Sequence, residues 1–313
     1  MSGHLTYPEA IVVGALQGVA ELFPVSSLGH SVLLPALVGG RWARDLNVST
    51  PESPYLAFIV GLHVATALAL LAFFWRDWVR IITGFLTSLR YRRVRTADER
   101  LAWMIIIATI PVGVTGLLLE HTFRTVLGRP VPAAVFLAVN GVILYGAERL
   151  RRGAAADPTT AAATMATVAG GSSDAPYSEG IAADRRIAGR TVKDTTLIGA
   201  AQILALLPGI SRSGSTMAAG LLRGLSHTDS ARFSFLLATP VIFAAGALKL
   251  PDLFGPLGAG IHGQVLAGSV VSGVCAYLAV RFLTRYFETR TLTPFAVYCL
   301  VAGLGSLAWL TLA

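Results

Sequence analysis

Six apolar stretches, at about residues 54–75, 101–119, 131–148, 232–250, 263–283 and 292–312, each approach the roughly 20 residues that cross the hydrocarbon of a bilayer. Backbone N–H and C=O groups find no water partners in that medium, so runs of this length satisfy one another as helices. Only 13% of the 313 residues are charged and 54% are hydrophobic, against the roughly 25% charged residues of a soluble domain. The chain therefore predicts an all-α polytopic membrane protein.

The formal net charge of +8 is arranged for topology and not for nucleic acid, because the basic residues sit in short loops beside the apolar runs. Residues 76–100 hold Arg76, Arg80, Arg90, Arg92, Arg93, Arg95 and Arg100, and the edges of 149–194 hold Arg149, Arg151, Arg152, Arg185, Arg186, Arg190 and Lys193. Both loops are expected on the cytoplasmic side, with the termini outside. The Trp75-Arg76-Asp77-Trp78 cluster reads as an interfacial belt. Residues 149–194 are rich in Ala, Gly, Ser and Thr, and are expected to form a flexible cytoplasmic linker between two halves. Cys275 and Cys299 lie inside apolar runs and read as core thiols. Met1–Pro8 lacks a basic region, so the first apolar segment is expected to stay on the chain.

Two further apolar stretches are too short and too broken to span. Residues 8–38 break at Pro24-Val25-Ser26-Ser27, and residues 196–222 break at Pro208-Gly209. Each piece is about half of a spanning length, which predicts two re-entrant hairpins. A shift of 185 residues pairs Gln17 with Gln202, Ser26 with Ser211, Gly29 with Gly214 and Ser31 with Thr216. The chain thus divides into a first repeat (1–148), the linker (149–194) and a second repeat (195–313). Each repeat holds one re-entrant hairpin and three transmembrane helices. Three crossings per repeat turn the second copy upside down, an inverted-topology arrangement that brings both breaks together near the midplane.

The two breaks differ in chemistry. The first carries Glu21, Ser27 and His30, costly groups to keep in a greasy segment. The second puts Arg212 where the first has Ser27. Ser26 and Ser211 stand where half-helices begin, and unpaired N–H groups there favour an anion. Arg212, Ser213, Gly214, Ser215 and Thr216 have the composition of a phosphate cradle. Gln17 and Glu21, one helical turn apart, offer oxygens that with phosphate can share a divalent cation, Mg2+ or Ca2+. Either Ser27 attacks phosphorus with His30 as its base, or His30 attacks directly. His63 and Asn140 lie inside spans and read as packed hydrogen-bonding groups; Glu148, Arg223, Arg232 and Lys249 read as structural residues at span ends.

The stretches QGVAELFPVSSLGH, LLPGISRSGSTMAAGLLRG and ARFSFLLATPVIFAAG resemble signatures of the undecaprenyl-diphosphate phosphatase family associated with bacitracin resistance. The likeness covers nearly the whole chain except 150–193. It implies a multi-pass enzyme of the bacterial cytoplasmic membrane that hydrolyses undecaprenyl diphosphate to undecaprenyl phosphate and phosphate, with its cleft open to the outer side. It further implies Glu21 in an acidic motif, Ser27 and His30 in the catalytic group, and Arg212 in diphosphate binding. Expected partners are the polyprenyl diphosphate lipid and the bilayer, with a second copy of the chain compatible and no nucleic acid. Inverted repeats and broken helices equally fit a transporter or flippase of polyprenyl phosphate, alone or as a second activity. A Ser–His pair beside Arg212 argues for chemistry, since an anion carrier needs no nucleophile.

Overall fold

The computed structural model describes residues 5–46, 54–155, 175–255 and 258–312, and among them there is no strand. Helix α1 (Tyr7–Ala20) runs into a turn at Glu21–Val25, and Ser26 caps α2 (Ser27–Val38) by accepting from the Gly29 amide at 3.2 Å. A short α3 (Gly40–Asp45) follows. The later break is built alike. Helix α9 (Val192–Ala200) tightens into a 3-10 turn (Ala201–Leu206), and Ser211 caps α10 (Arg212–Leu222) through the Gly214 amide at 3.1 Å. Short helical pieces on either side of a break therefore form at both places where the sequence predicts a hairpin.

Long helices make up the remainder: α4 (Pro54–Phe73), α5 (Trp75–Tyr91), α6 (Ala97–Leu127), α7 (Pro130–Ala155), α8 (Ala175–Ala188), α11 (His227–Phe254), α12 (His262–Thr289) and α13 (Thr293–Leu312). Within them, among the described residues, lie 5 stretches long and apolar enough to cross a membrane; α4 and α5 pass the same test as a pair, with a bend of 85° between them. Pro111 and Pro240 sit inside α6 and α11, which continue through them.

Two stretches differ from expectation. The 76–100 region is not a loop: α5 fills most of it and α6 begins at Ala97. Arginine count hid a helical period, because Trp75, Val79, Ile82, Leu86 and Leu89 recur at spacings of four and three. The 149–194 stretch is partly helical, with α7 running on to Ala155 and α8 starting at Ala175. Its middle, 156–174, and the 47–53 part of the earlier polar loop lie outside the described residues. Small residues let α8 pack closely, and its Asp184 is buried against two arginines. Arg232 of α11 donates from Nε to Asp184 at 2.8 Å and from Nη2 to Asp77 of α5 at 2.8 Å. Arg80 joins Asp77, Asp98 and Asp184 in the same cluster. Arg232 is thus a buried tie between α5, α8 and α11, and not a snorkelling residue at a span end.

The hairpins are held by reciprocal contacts. Helix α1 lies on α12, and α9 lies on α6. A Cβ on Gly14 of α1 would come 2.4 Å from the Gly268 carbonyl oxygen, and one on Gly199 of α9 would come 2.1 Å from the Ala108 carbonyl oxygen. At the breaks, a Cβ on Gly29 would meet the Gly209 Cα at 2.8 Å, while one on Gly214 would meet Pro24 Cβ at 3.2 Å. Each half-helix therefore begins against the break of the other hairpin, and at Gly29 the backbone approach leaves no room for a Cβ.

Candidate active site

Asn140 of α7 fastens the two breaks. Its side-chain amide donates to the Pro24 carbonyl at 3.0 Å, and its carbonyl oxygen accepts from the Ser211 backbone N–H at 3.0 Å. Ser213 Oγ donates to the Phe23 carbonyl at 3.1 Å across the same seam. With the backbones fixed, Glu21 and Arg212, 191 positions apart, form an ion pair of 2.8 Å. Both are nearly buried, with side-chain exposures of 6% and 12%.

A lone ion pair taken out of water is a poor stabiliser unless other hydrogen bonds complete it. Glu21 has them. Its Oε2 accepts from Ser27 Oγ at 2.5 Å and from Gln17 Nε2 at 3.0 Å, and His63 Nε2 stands 3.4 Å away. His63 donates from Nδ1 to the Ile59 carbonyl at 2.9 Å, which turns its Nε2 toward Gln17 Nε2, 3.2 Å away, and the Glu21 carboxylate. The residue that places Ser27 is itself strained. Ser26 has φ 69°, one of two described non-glycine residues with positive φ. Such conformers cost about 1–3 kcal/mol and collect at functional sites.

A cavity of about 200 Å³ opens beside the pair, lined by Glu21, Ser27, His63, Gln202 and Arg212 among apolar side chains such as Val112 and Ile242. Two polar atoms at this cavity are buried with no hydrogen-bond partner among the described residues: Arg212 Nη1 and Gln202 Oε1. Gln202 is 1% exposed and donates from Nε2 to the Gly199 carbonyl at 3.2 Å, which fixes which end of its amide is the unpaired oxygen. An unpaired buried donor and acceptor each cost about 1–3 kcal/mol, and together they fit a ligand that both accepts and donates.

The expected site residues fall into two groups. Gln17, Glu21, Ser27 and Arg212 converge, and Ser26 and Ser211 line the same cavity. Ser213, Ser215 and Thr216 are buried and their hydroxyls turn to backbone carbonyls, Ser215 to Ser211 at 2.9 Å and Thr216 to Arg212 at 2.8 Å. Gly214 serves the close approach to Pro24. His30 is not joined to Ser27. Its Nδ1 donates to the Ser26 carbonyl at 2.7 Å, and its Nε2 lies 2.7 Å from the Tyr298 hydroxyl, with the two rings stacked. His63, Gln202 and Tyr298 enter the neighbourhood without having been selected from sequence. The signal for His63 was an imidazole inside an apolar span, and for Gln202 its pairing with Gln17.

At the expected cation site the Glu21 carboxylate is engaged by Ser27, Gln17 and Arg212. Gln17 turns its N–H2 and not its oxygen to Glu21, and both carboxylate oxygens already accept hydrogen bonds. No group of three or more His, Cys, Asp or Glu suited to a metal occurs among the described residues.

Against known proteins, residues 10–305 match the family model described as bacitracin resistance protein BacA. A protein of Mycolicibacterium paratuberculosis named undecaprenyl-diphosphatase is 68% identical over 312 residues, covering 100% of both chains. One from Frankia casuarinae named undecaprenyl-diphosphatase 1 is 55% identical and covers 95% of this chain and 96% of its own length. Another from Granulibacter bethesdensis, also named undecaprenyl-diphosphatase, is 42% identical with 96% coverage of each. A match running nearly end to end, over both hairpins and the helices that hold them, places this chain in the BacA bacitracin-resistance family.

Proposed function

We propose that this chain is an integral membrane phosphatase that hydrolyses undecaprenyl diphosphate to undecaprenyl phosphate and phosphate. The single observation that carries the assignment to these residues is the Glu21–Arg212 pair, with Ser27 on the carboxylate and Arg212 Nη1 unpaired toward the cavity. Apolar walls suit a polyprenyl tail, while the diphosphate needs the guanidinium and the N–H groups at the starts of α2 and α10.

The geometry favours Ser27 as nucleophile and Glu21 as its base. The Ser27 proton passes to Glu21 Oε2 as the serine oxygen bonds to the terminal phosphorus, and the bridging bond breaks to release undecaprenyl phosphate. Water then attacks the phosphoserine and frees phosphate, restoring the hydroxyl. Arg212 meets the charge on the phosphoryl oxygens in both steps. Direct attack by His30 would require its Nε2 to leave Tyr298. A divalent cation, Mg2+ or Ca2+, enters this reading as a companion of the substrate's diphosphate.

Reciprocal seating of Gly14 and Gly199, and of Gly29 and Gly214, supports two inverted repeats with their breaks at the membrane midplane. The arginine-bearing α5 and the C-terminal ends of α7 and α12 are then cytoplasmic, and the cavity lies in the outer half. The same symmetry favours a second reading, lipid flipping by exchange of the two repeats. Phosphate release from undecaprenyl diphosphate by purified protein, with and without chelator, tests the first reading against an Arg212→Ala variant; full activity in the variant would dismantle the site. Lipid movement across vesicles by a hydrolysis-dead Ser27→Ala protein tests the second, and no movement sinks it.

A further inference from the structure

We propose that the arginine-rich end of the molecule is a docking surface for anionic phospholipid, with α5 lying in the headgroup layer. Helix α5 has three faces. Trp75, Val79, Ile82, Leu86 and Leu89 form one stripe and are 49–58% exposed. About a quarter turn away lie Arg76, Thr83 and Arg90, all exposed. On the remaining side Asp77, Ile81 and Ser88 are buried against the protein. The 85° bend from α4 decides what covers the apolar stripe. If α4 crosses the bilayer, α5 runs nearly in the membrane plane, with its stripe turned to the acyl boundary and its arginines beside the phosphates. This is the layout of an interfacial amphipathic helix. Beyond it, Arg92, Arg93 and Arg95 are also exposed.

A second feature at the same end points to the same ligand. Helices α4 and α12 run parallel, since Gly61 faces Val265, Thr66 bonds Ser272 at 3.2 Å and Phe73 packs on Tyr277. The end of α12 therefore lies level with α5. There, Arg281, Arg285 and Arg290 rim an open groove of about 460 Å³ floored by Leu278, Phe282 and Tyr286. Arginines above an apolar floor fit a phosphate with an acyl chain beneath it. The buried face of α5 also holds Arg232 of α11 through Asp77, and α11 supplies Val241, Ile242 and Ala245 to the wall of the active-site cavity. The lipid surface and the site thus share one rigid element.

The test uses the full-length protein in phosphatidylcholine vesicles with a minority of phosphatidylglycerol. A fluorescent label is placed at Leu86→Cys or at Thr83→Cys in a Cys275→Ser background; the remaining Cys299 is buried. The expected result is that the label at 86 is shielded from iodide and the label at 83 is not. Brominated phosphatidylglycerol should quench the 86 label at least about twofold more than brominated phosphatidylcholine, as each interfacial arginine attracts an anionic surface by about 1 kcal/mol. Replacing Arg90, Arg92, Arg93 and Arg95 by Gln should bring the two lipids level, with helix content unchanged. Open iodide access at 86 would overturn the placement of α5. Equal quenching by both lipids in the unsubstituted protein would overturn the anionic partner.

Discussion

The two hairpins share a backbone plan and divide the chemistry unequally. In the first, Ser26 adopts a strained positive φ and delivers Ser27 to Glu21. In the second, Ser211 caps with φ −83°, and the hydroxyls of Ser213, Ser215 and Thr216 fold onto backbone carbonyls. Their glutamines differ in the same way. Gln17 is bonded to Glu21 and His63, whereas Gln202 keeps its oxygen unpaired in the cavity. On the proposed reading the first hairpin reacts, and the second holds one guanidinium in place for the ligand. A serine-rich motif can be a scaffold, and a single serine placed by a strained neighbour can be the working group.

Arg212 is the sharpest point of that contrast. Removing it leaves Glu21 as an uncompensated buried charge, an effect of about 3–5 kcal/mol, and strips the phosphate of its guanidinium. Arg212→Ala is expected to lower phosphate release about 10³-fold or more. Arg212→Lys should recover only a small part, because a point charge cannot bridge Glu21 and a phosphate together. The measurement is initial rate in detergent with melting temperature followed in parallel. Lysine restoring full rate would show that charge alone suffices and that the fork geometry is incidental.

Ser27→Ala comes next. Losing the hydroxyl on Glu21 should reduce turnover about 10²-fold or more, and because it takes one donor from the buried carboxylate a stability loss of about 1 kcal/mol should accompany it. A radiolabelled terminal phosphate should be trapped on the wild-type serine at short times and not on the variant. If label instead appears on a histidine, Ser27 is not the nucleophile and His30 must swing away from Tyr298.

Much of this was legible in the sequence, for identifiable physical reasons. Half-length apolar runs broken at proline predict hairpins, and the 185-residue offset named both breaks and the acid–arginine exchange between them. Side-chain direction was not legible. Composition marked Ser213, Ser215 and Thr216 as a cradle, yet hydroxyls in apolar helices lower their own cost by bonding the preceding turn. A Ser–x–x–His spacing likewise says that two residues share a helix face, but the Ser26 carbonyl and Tyr298 claimed both nitrogens of His30. Tyr298 lies 268 residues from His30, beyond the reach of any local pattern. The α5 helix was hidden for a different reason: its arginines dominated the count, while its apolar period was legible all along.

Gln202→Met sharpens the comparison between the paired glutamines. Methionine keeps the length and removes the orphan acceptor, so stability should be unchanged or nearly so. If the oxygen waits for a hydroxyl on, or a water bound to, the terminal phosphate, activity should fall about tenfold, the size of one lost hydrogen bond of ~1.4 kcal/mol. Gln17→Met should do the reverse in stability, since it takes a donor from buried Glu21. Equal melting losses in both variants would mean that Gln202 is merely packed.

The smallest effect is the most specific to the scaffold reading. Ser215→Ala removes a hydroxyl that donates only to the Ser211 carbonyl within its own helix, a carbonyl that also accepts the Ser215 amide at 2.8 Å. No partner is left unsatisfied, so the cost should stay within about 1 kcal/mol and phosphate release should be unaltered. Ser213→Ala reaches slightly further. It deletes a bond to Phe23 of the other hairpin, so a loss of about 1 kcal/mol in stability should come with at most a modest change in rate. Were either substitution to raise KM for the diphosphate steeply while melting stayed constant, these hydroxyls would touch substrate after all. The second hairpin would then have to rearrange its caps on binding, as Ser215 is held by a backbone carbonyl and Ser213 by the Phe23 carbonyl and the Ser211 hydroxyl at 3.0 Å.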